Sequence, residues 1–461
     1  MSGVVLDVND WAEQQFASCT LGDTRRTRRL VRFAAQVAAD PSGSTLRETE
    51  NWADLKAAYR LLGCADVTFA AVTAPHYAAT RQKATKVCLI LMDTTETDFG
   101  RFRQIEGLGP TGNDGGRGFR LHSGLAMSPD GEVLGLAGQV IRYRKNVARQ
   151  SSGAQRLRRA DRESVMWYEL VGQIGSPADG TQYVAICDRG GDQYELYCRM
   201  RERRMDWVVR ASQLHRKIVT PEGKKMPLDD YTNTLPVGGG YQLDLPATKD
   251  HPARTAELEV RFGHLTMFSP PSVSAWVRQC GIEAIEVHVV DVREVKAPTG
   301  VEPLRWVLYC SLPVQSFSGA WRVIEYYEQR PLIEEFHKGL KTGCRLEERQ
   351  YRTAGRLEAL TGLLSIVAVR LLQLRSASRH QPERPAREIV PMKWILLLQG
   401  LRRRPPRRDW SVREFYRELA KLGGFLGRKS DGEPGWITLW HGFYKLHLCL
   451  PGAEALGRKC G

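Results

Sequence analysis

The sequence lacks the cysteine spacings that mark zinc sites and disulfide frameworks. Its ten cysteines are scattered over 461 residues, and no two of them form a C-x-x-C pair. Metal-binding domains and small disulfide-rich domains instead place cysteines at short, repeated spacings. We therefore expect this protein to work in a reducing compartment.

The sequence also has no evident export signal and no clear membrane span. Its first residues, MSGVVLDVNDWAEQQF, carry acids where a signal peptide carries a basic patch before an apolar run. The most apolar candidate helix, 360–375, is interrupted by Arg370 and is predicted to be too short to span a bilayer. These features predict a cytoplasmic protein.

Basic residues are in surplus. The chain has 67 lysines and arginines against 52 acids, which gives a net charge of +15. Such a surplus favours a polyanionic partner, because neutralised phosphates release counterions whatever the base sequence. An anionic membrane surface, or no special partner at all, remains open on charge alone. The length and a hydrophobic content of 42% predict a globular protein of two to four domains.

The pattern along the chain changes from helical to sheet-like and back to helical. Residues 1–80 are predicted to form a helical and basic N-terminal unit, with a basic helix starting after Asp23. Residues 379–408 are predicted to be a basic linker, and 409–461 a helical C-terminal unit. Between the N-terminal unit and the linker, 81–378 should form an α/β domain.

The order of elements in 81–378 is that of an RNase H-like mixed sheet. A buried strand at 86–93 precedes a hairpin at 120–144, whose turn is Ser-Pro-Asp-Gly. A helix, a second buried strand at 181–188, another helix and a strand at 206–212 follow. Short alternating runs then predict a β-rich insertion at about 213–303.

Two of the predicted strands end in an aspartate. Asp93 and Asp188 should meet if these strands are neighbours, because a sheet presents side chains at its carboxyl edge. Glu334, on a following helix, would add a third carboxylate. Three oxygen ligands suit Mg²⁺ or Mn²⁺, and a pair of such ions about 3.5–4 Å apart can drive displacement at phosphorus. The alternative is that both aspartates only cap turns.

The segment YEQRPLIEEFHKGLK adds further candidates. Glu334 and Lys341 are seven residues apart and should share one face of a helix. Pro331 fits the first helical turn, which leaves Arg330 at the start of the helix and able to reach a phosphate. A solvated amphipathic helix is the alternative.

In this order, the residues resemble the DDE cut-and-paste transposases of the insertion-sequence four group, which includes the transposon-five transposase. The family's second aspartate is followed by arginine and, three positions later, by another aspartate, as in CDRGGD (187–192). Its signature Y-x-x-R-x-x-x-E-x-x-x-x-x-x-K is matched over 327–341. The stretches at 10–31 and in the last fifty residues also resemble the family's end-binding and dimerisation regions.

The resemblance implies an RNase H-like core with two Mg²⁺ ions, or Mn²⁺ as a substitute, held by Asp93, Asp188 and Glu334. It implies a homodimer, in a bacterial cell and at the nucleoid, that joins two transposon ends with target DNA. Nicking, hairpin formation, hairpin opening and insertion would follow one another. The residues that it implies in DNA contact are Arg25, Arg26, Arg29, Arg210, Trp306, Tyr327, Arg330, Lys338 and Lys341.

Two expectations carry alternatives, and a third concerns a departure from the family's sequence. Trp306 matches the family's base-stacking tryptophan, although Leu304, Trp306 and Leu308 alternate as a core strand face would. The arginine-rich loop at 142–162 is expected to grip target or flanking DNA, or else to be a solvated loop. Gly190 and Gly191 should loosen the turn after Asp188.

Two other functions remain open at this point. A catalytically silent inhibitor that binds DNA ends would keep the basic helical unit but not need the three acids. A metal-dependent nuclease without strand transfer would use the acids but would leave the C-terminal unit and Trp306 without evident purpose.

Overall fold

The computed structural model describes residues 7–457 except 102, 113–114, 145–161, 246–251, 408 and 429–430. Most of the arginine-rich loop expected at 142–162 thus lies outside the described residues. The helices, in chain order, are α1 (Val8–Phe16), α2 (Thr24–Ala39), α3 (Thr45–Glu48), α4 (Trp52–Leu62), α5 (Phe69–Lys83), α6 (Val165–Ile174), α7 (Tyr194–Glu202), α8 (Leu228–Thr234), α9 (Ala275–Cys280), α10 (Phe317–Glu328), α11 (Pro331–Lys338), α12 (Ala354–His380), α13 (Met392–Leu401), α14 (Val412–Leu422) and α15 (Trp436–Gly457).

Twelve strands of the described chain form one sheet. In chain order they are β1 (Val87–Asp98), β2 (Gly109–Thr111), β3 (Gly116–Met127), β4 (Val133–Arg142), β5 (Gln182–Cys187), β6 (Asp206–Arg210), β7 (Lys217–Val219), β8 (Lys225–Pro227), β9 (Val237–Leu245), β10 (Arg254–Phe268), β11 (Ala284–Glu294) and β12 (Arg305–Cys310).

Five strands at one side of the sheet have RNase H-like order and direction. They lie in the order β4-β3-β1-β5-β6. β1 is antiparallel to β3 and parallel to β5, and β5 is parallel to β6. The hairpin predicted at 120–144 is β3 and β4. This arrangement confirms the predicted mixed α/β fold with an RNase H-like core.

The β-rich insertion extends the same sheet. β12 pairs with β6, and β11 and β10 continue the sheet beyond it in antiparallel order. Most of the expected insertion, about 213–303, is therefore joined to the catalytic core by continuous backbone hydrogen bonds. It shares the core's apolar layers, since Val290 and Val292 belong to the same buried cluster as Leu89 and Val184.

Two predicted element ends were wrong. β1 does not stop at Asp93 but runs to Asp98, because residues 93–98 remain paired with β3 after β5 has ended. The apolar helix predicted over 360–375 is the longer α12, which spans 27 residues. It is long and apolar enough to cross a membrane by composition, but 89% of its most apolar window is buried in the protein. This burial is consistent with the cytoplasmic location expected from the sequence.

Side-chain caps explain where the N-terminal helices begin. Asp23, Asn51 and Thr68 each accept a hydrogen bond from a backbone N–H in the first turn of α2, α4 and α5. Such caps satisfy amide groups that have no partner within a helix. The basic helix expected after Asp23 is thereby confirmed as α2.

The C-terminal helices pack against the end of the helix that carries Glu334. The segment 379–408, expected to be a linker, contains α13, and its Trp394 is fully buried beside Phe443 of α15. Trp440 of α15 lies against the π-helical turn Gly339–Gly343, which continues α11. A Cβ atom on Gly343 would be 1.7 Å from Trp440 Nε1, so only glycine fits there.

Gly343→Ala should therefore lower the free energy of unfolding by about 1–3 kcal/mol, the usual cost of overpacking. Gly355→Ala is the matched control, because a Cβ at that exposed helical position would meet no atom within 4 Å. It should change stability by less than about 1 kcal/mol, in the stabilising direction. Urea unfolding followed by circular dichroism measures both. Equal effects would show that Trp440 does not pack on Gly343.

Candidate active site

Three parallel strands bring one residue each to the same row of the sheet. Met92 pairs with Cys187, and Cys187 pairs with Val209. The next residues along these strands are Asp93, Asp188 and Arg210. Residues in register on parallel strands point to the same face. Two carboxylates that are distant in sequence therefore lie side by side, with Arg210 at the adjacent position of β6.

Asp188 is held by a tight turn directly after β5. Its Oδ1 accepts a 2.8 Å hydrogen bond from the backbone N–H of Gly190, so it caps the short 3₁₀ turn Arg189–Gly191. A Cβ on Gly191 would be 2.5 Å from the Cβ of Cys187. The expectation that the two glycines loosen this turn was wrong, because Gly191 permits a close approach that a larger residue would prevent.

The helices α10 and α11 cover this row of residues. Pro331 occupies the first turn of α11, as expected, and Arg330 immediately precedes it. The Arg330 guanidinium Nη2 lies 3.3 Å from Asp93 Oδ2 and 3.7 Å from Asp188 Oδ2. Its Nη1 contacts Glu334 Oε1. One cation thus faces all three candidate carboxylates.

Burial disfavours the ionised form of Asp93. Burial raises the pKa of Asp93 to about 6, and the nearby carboxylates of Asp188 and Glu334 act in the same direction. The Arg330 guanidinium and the backbone N–H of Thr94 oppose this rise in pKa. The ionised form of Asp93 therefore depends on a neighbouring positive charge.

Two buried histidines beside Asp93 were not singled out from the sequence. His337 Nδ1 lies 4.0 Å from Asp93 Oδ2, and burial lowers the pKa of His337 to about 3. His122 on β3 contacts the Thr94 hydroxyl at 2.8 Å, and burial lowers its pKa to about 3 as well. Both are neutral at pH 7. The sequence signal was present for His337, which lies three residues after Glu334 and so on the same face of α11.

An aromatic and a basic side chain extend the site along the sheet. Trp306 and Leu308 of β12 belong to the same apolar layer, and Leu308 pairs with Arg210. The Trp306 ring is half-buried, with its centroid 6.4 Å from that of the mostly buried Tyr327. Burial raises the pKa of Tyr327, and Arg210 and Arg330 oppose the rise.

The two lysines of the signature lie in different surroundings. Lys338 is exposed at the end of α11. Lys341 lies in the π-helical turn and donates to the backbone carbonyl of Glu96 at 2.9 Å, with Glu347 Oε1 also at 2.9 Å. The α-helix ends at Lys338, so Lys341 does not lie two regular α-helical turns beyond Glu334 but in the wider turn that follows.

The donor atoms fit a divalent metal in kind, but Arg330 lies between them. Carboxylate oxygens are ligands that Mg²⁺ and Mn²⁺ prefer, and all three acids already face one shared positive charge. As the side chains stand, no three His, Cys, Asp or Glu residues in the described ranges are grouped to hold a metal ion. A metal at this site requires the guanidinium to move.

The candidate arginines of the N-terminal unit lie apart from this site, on α2. Arg25 is 85% exposed and pairs with Asp23. Arg26 contacts Asp66, and Arg29 Nη1 lies 2.8 Å from the buried Asp54 carboxylate. The helix also exposes Arg28, which the resemblance did not single out. Its spacing of three residues from Arg25 puts both on one face of α2.

Comparison with known protein families identifies both ends of the chain. Residues 8–67, which include α1–α4, match the family described as Transposase DNA-binding. Residues 366–458, from within α12 through α15, match the family described as Transposase Tn5 dimerisation domain. The sequence pattern predicts that the C-terminal unit starts at residue 409, whereas this match already begins at residue 366. With these two domains on either side of an RNase H-like core, the chain has the domain composition of a Tn5-like transposase.

Proposed function

We propose that this transposase cuts and joins DNA at the site formed by Asp93, Asp188 and Glu334. It would bind the inverted repeats at the ends of its transposon and excise the element by nicking and hairpin formation. It would then join the 3′ ends to target DNA. The observation that carries this proposal is the convergence of three carboxylates, from two strands and one helix, on a single cation.

These carboxylates would hold Mg²⁺, with Mn²⁺ as a substitute and two ions per site. When bound, such ions lower the pKa of an attacking water or 3′-hydroxyl and offset charge on the leaving oxygen. The protein positions the ligands rigidly, since Asp93 lies within β1 and Asp188 caps a turn. Glu334 lies on the first turn of α11, and its side chain is the most exposed of the three, at 56%.

Arg330 would serve two states of the site. Without metal, its single positive charge offsets part of the repulsion among the three carboxylates. With metal and DNA, the guanidinium would turn outward to a phosphate, for which its planar, fork-shaped set of donors is suited. Arg330 lies at the start of α11, ahead of Pro331, and its side chain is 15% exposed, so this turn would take the guanidinium out of a mostly buried position.

Trp306 would receive a base during hairpin formation. A base must leave the DNA stack for the strand to fold back, and stacking on an aromatic ring offsets about 1–3 kcal/mol of that cost. The half-buried ring lies on the same sheet face as Arg210 and beside Tyr327. Arg210 and Tyr327 would then contact the neighbouring phosphates, together with Lys338 and Lys341.

Recognition of the ends would fall to α2, through Arg25, Arg26 and Arg29. Because Arg26 and Arg29 are paired with acids in the structure, binding would exchange those ion pairs for phosphate or base contacts. A homodimer joined through 366–458 would hold two ends at once. In a bacterial cell the protein would then act at the nucleoid.

Asp93→Ala, Asp188→Ala and Glu334→Ala should each abolish Mg²⁺-dependent cutting of a duplex that carries the terminal inverted repeat. Binding of the same duplex should stay within about twofold, because α2 is remote from the site. Glu325→Ala, at an exposed acid of α10, is the matched control and should cut normally. Gel assays of binding and cleavage measure both properties. A residual cutting rate of about one-thousandth of the wild-type rate corresponds to an activation barrier about 4 kcal/mol higher.

Three outcomes would contradict the proposal. Near-normal cutting by any of the three variants would show that the carboxylates are wrongly assigned. Wild-type protein that binds but never cuts, in Mg²⁺ or in Mn²⁺, would be an end-binding inhibitor. Cutting without joining to target DNA would instead indicate a metal-dependent nuclease.

Trp306→Ala should slow hairpin formation about tenfold or more and leave the first nick nearly unchanged, since only the hairpin needs an unstacked base. Trp306→Phe is the control, because it keeps an aromatic face and should retain most of the hairpin rate. Single-turnover assays resolve the two steps. Equal loss at both steps would assign Trp306 to the core.

Arg330→Met should destabilise the metal-free protein by about 1–3 kcal/mol, because it leaves the partly buried Asp93 without its cation. Millimolar Mg²⁺ should recover much of that loss, and should stabilise this variant more than it stabilises wild type. Arg345→Met, at an exposed pair with Glu348, is the control and should change stability little. Thermal unfolding with and without Mg²⁺ tests this. A destabilisation of Arg330→Met that Mg²⁺ does not reduce would argue against a shared cation site.

A further inference from the structure

A fully buried ion pair joins the N-terminal region 8–67, here called the end-binding unit, to the segment 344–351, which follows the helix that carries Glu334. Glu48 of α3 lies within the region matched as Transposase DNA-binding, and its Oε1 is 2.7 Å from Arg349 Nη1. The two side chains are 0% and 2% exposed. The contact joins two regions that lie about 300 residues apart in sequence.

Arg349 uses its remaining donors on both sides of this contact. Its Nη2 donates to the backbone carbonyl of Pro41 at 2.8 Å, in the end-binding unit. Nε and Nη2 donate to the backbone carbonyl of Cys344 at 3.2 and 3.1 Å. A second contact between the same two regions is the 2.6 Å hydrogen bond between the Tyr351 hydroxyl and Thr45 Oγ1.

Cys344 is directly continuous with the catalytic helix. α11, which carries Glu334, runs from Pro331 to Lys338 and passes without a break into the π-helical turn Gly339–Gly343. Cys344 ends that turn, and its carbonyl is one of the otherwise unpaired groups at a helix end. By binding that carbonyl, the Arg349 guanidinium fixes the end of the helix against the end-binding unit.

A buried ion pair at this position is expected to contribute little to the free energy of unfolding. Burial raises the pKa of Glu48 to about 7 even though Arg349 opposes the rise. Apolar side chains of similar size often stabilise a buried site as well as an ion pair does, or better. A charged pair instead demands one alignment of its two partners, since a small displacement leaves both charges buried and unpaired.

We propose that Arg349 is a positioning residue that couples end binding to the placement of Glu334. It would hold 331–351 in one alignment with α3 and with the loop before it. DNA bound on the N-terminal unit would thereby order the helix that supplies the third carboxylate. The proposal rests on the proposed function, since it assigns Glu334 to the cutting step.

Arg349→Met tests this coupling, because methionine keeps an unbranched apolar side chain, although a shorter one, and removes every side-chain donor. Arg254→Met is the matched control, since Arg254 also pairs with a glutamate whose side chain is 0% exposed, Glu294, but in the β-rich insertion. Tyr351→Phe removes only the second hydrogen bond and should fold normally even if Arg349→Met does not. The probe is a duplex that carries the terminal inverted repeat of the element encoding this chain.

Amide hydrogen exchange gives a readout that does not depend on cutting. In wild type and Arg254→Met, the duplex should slow exchange in α2 and also in 331–352. In Arg349→Met the slowing should persist in α2 and disappear from 331–352, and Tyr351→Phe should show a smaller loss of the same kind. Single-turnover nicking at saturating duplex should fall about tenfold or more in Arg349→Met, which corresponds to about 1.4 kcal/mol, with binding within about twofold.

Two results would overturn the coupling. One is a parallel loss of protection in α2 and in 331–352, with weaker duplex binding, since that is the effect of general destabilisation. The other is wild-type protection and wild-type nicking in both Arg349→Met and Tyr351→Phe. If wild type bound the duplex and never cut it, the proposed function would fail, yet the exchange pattern would still decide whether the two regions are coupled.

Discussion

The in-register parallel pairing of β1, β5 and β6 is the constraint on which the candidate site depends. Parallel strands with matched registers place the residues that follow Met92, Cys187 and Val209 in one row. A slip of one residue in β5 would turn Asp188 to the opposite face of the sheet. Such a slip would also exchange Val184 and Ile186 of one apolar layer with the smaller Ala185 and Cys187 of the other, which close packing disfavours. Burial of the core therefore fixes the spacing of the acids.

The same burial makes the site electrostatically costly. Asp93 is ionised only against a desolvation penalty, and two more carboxylates lie nearby. Arg330 offsets that cost in the absence of any other cation. A protein selected for stability alone would not gather three acids at one point, so this cost is typical of a functional site. The two buried, neutral histidines beside Asp93 add no charge to the cluster.

The sequence predicted much of the fold and less of the local geometry. The apolar runs that lead to Asp93 and Asp188 identify core strands without reference to any structure, and the Ser-Pro-Asp-Gly turn identifies the hairpin. Periodicity could not show that β1 continues to Asp98, because the polar run Thr-Thr-Glu-Thr hides a strand that is paired on one side only. The π-helical turn at Gly339 was likewise invisible, since it follows from packing against Trp440. The arginine that bridges the three acids was identified from its motif, but its carboxylate partners depend on tertiary contacts. The domain limits at 80, 378 and 408 stay predictions.

The continuity of the sheet across β6 and β12 has a mechanical consequence. Because the insertion shares a hydrogen-bonded ladder with the strands that carry Asp188 and Arg210, it is unable to swing as an independent lid. Trp306 is thus held in a fixed position relative to the strands that lead to Asp188 and Arg210. Under the proposed function, DNA bound beside Trp306 would itself bend and unstack to fit the protein, so the deformability of the end sequence would help to decide which ends are processed.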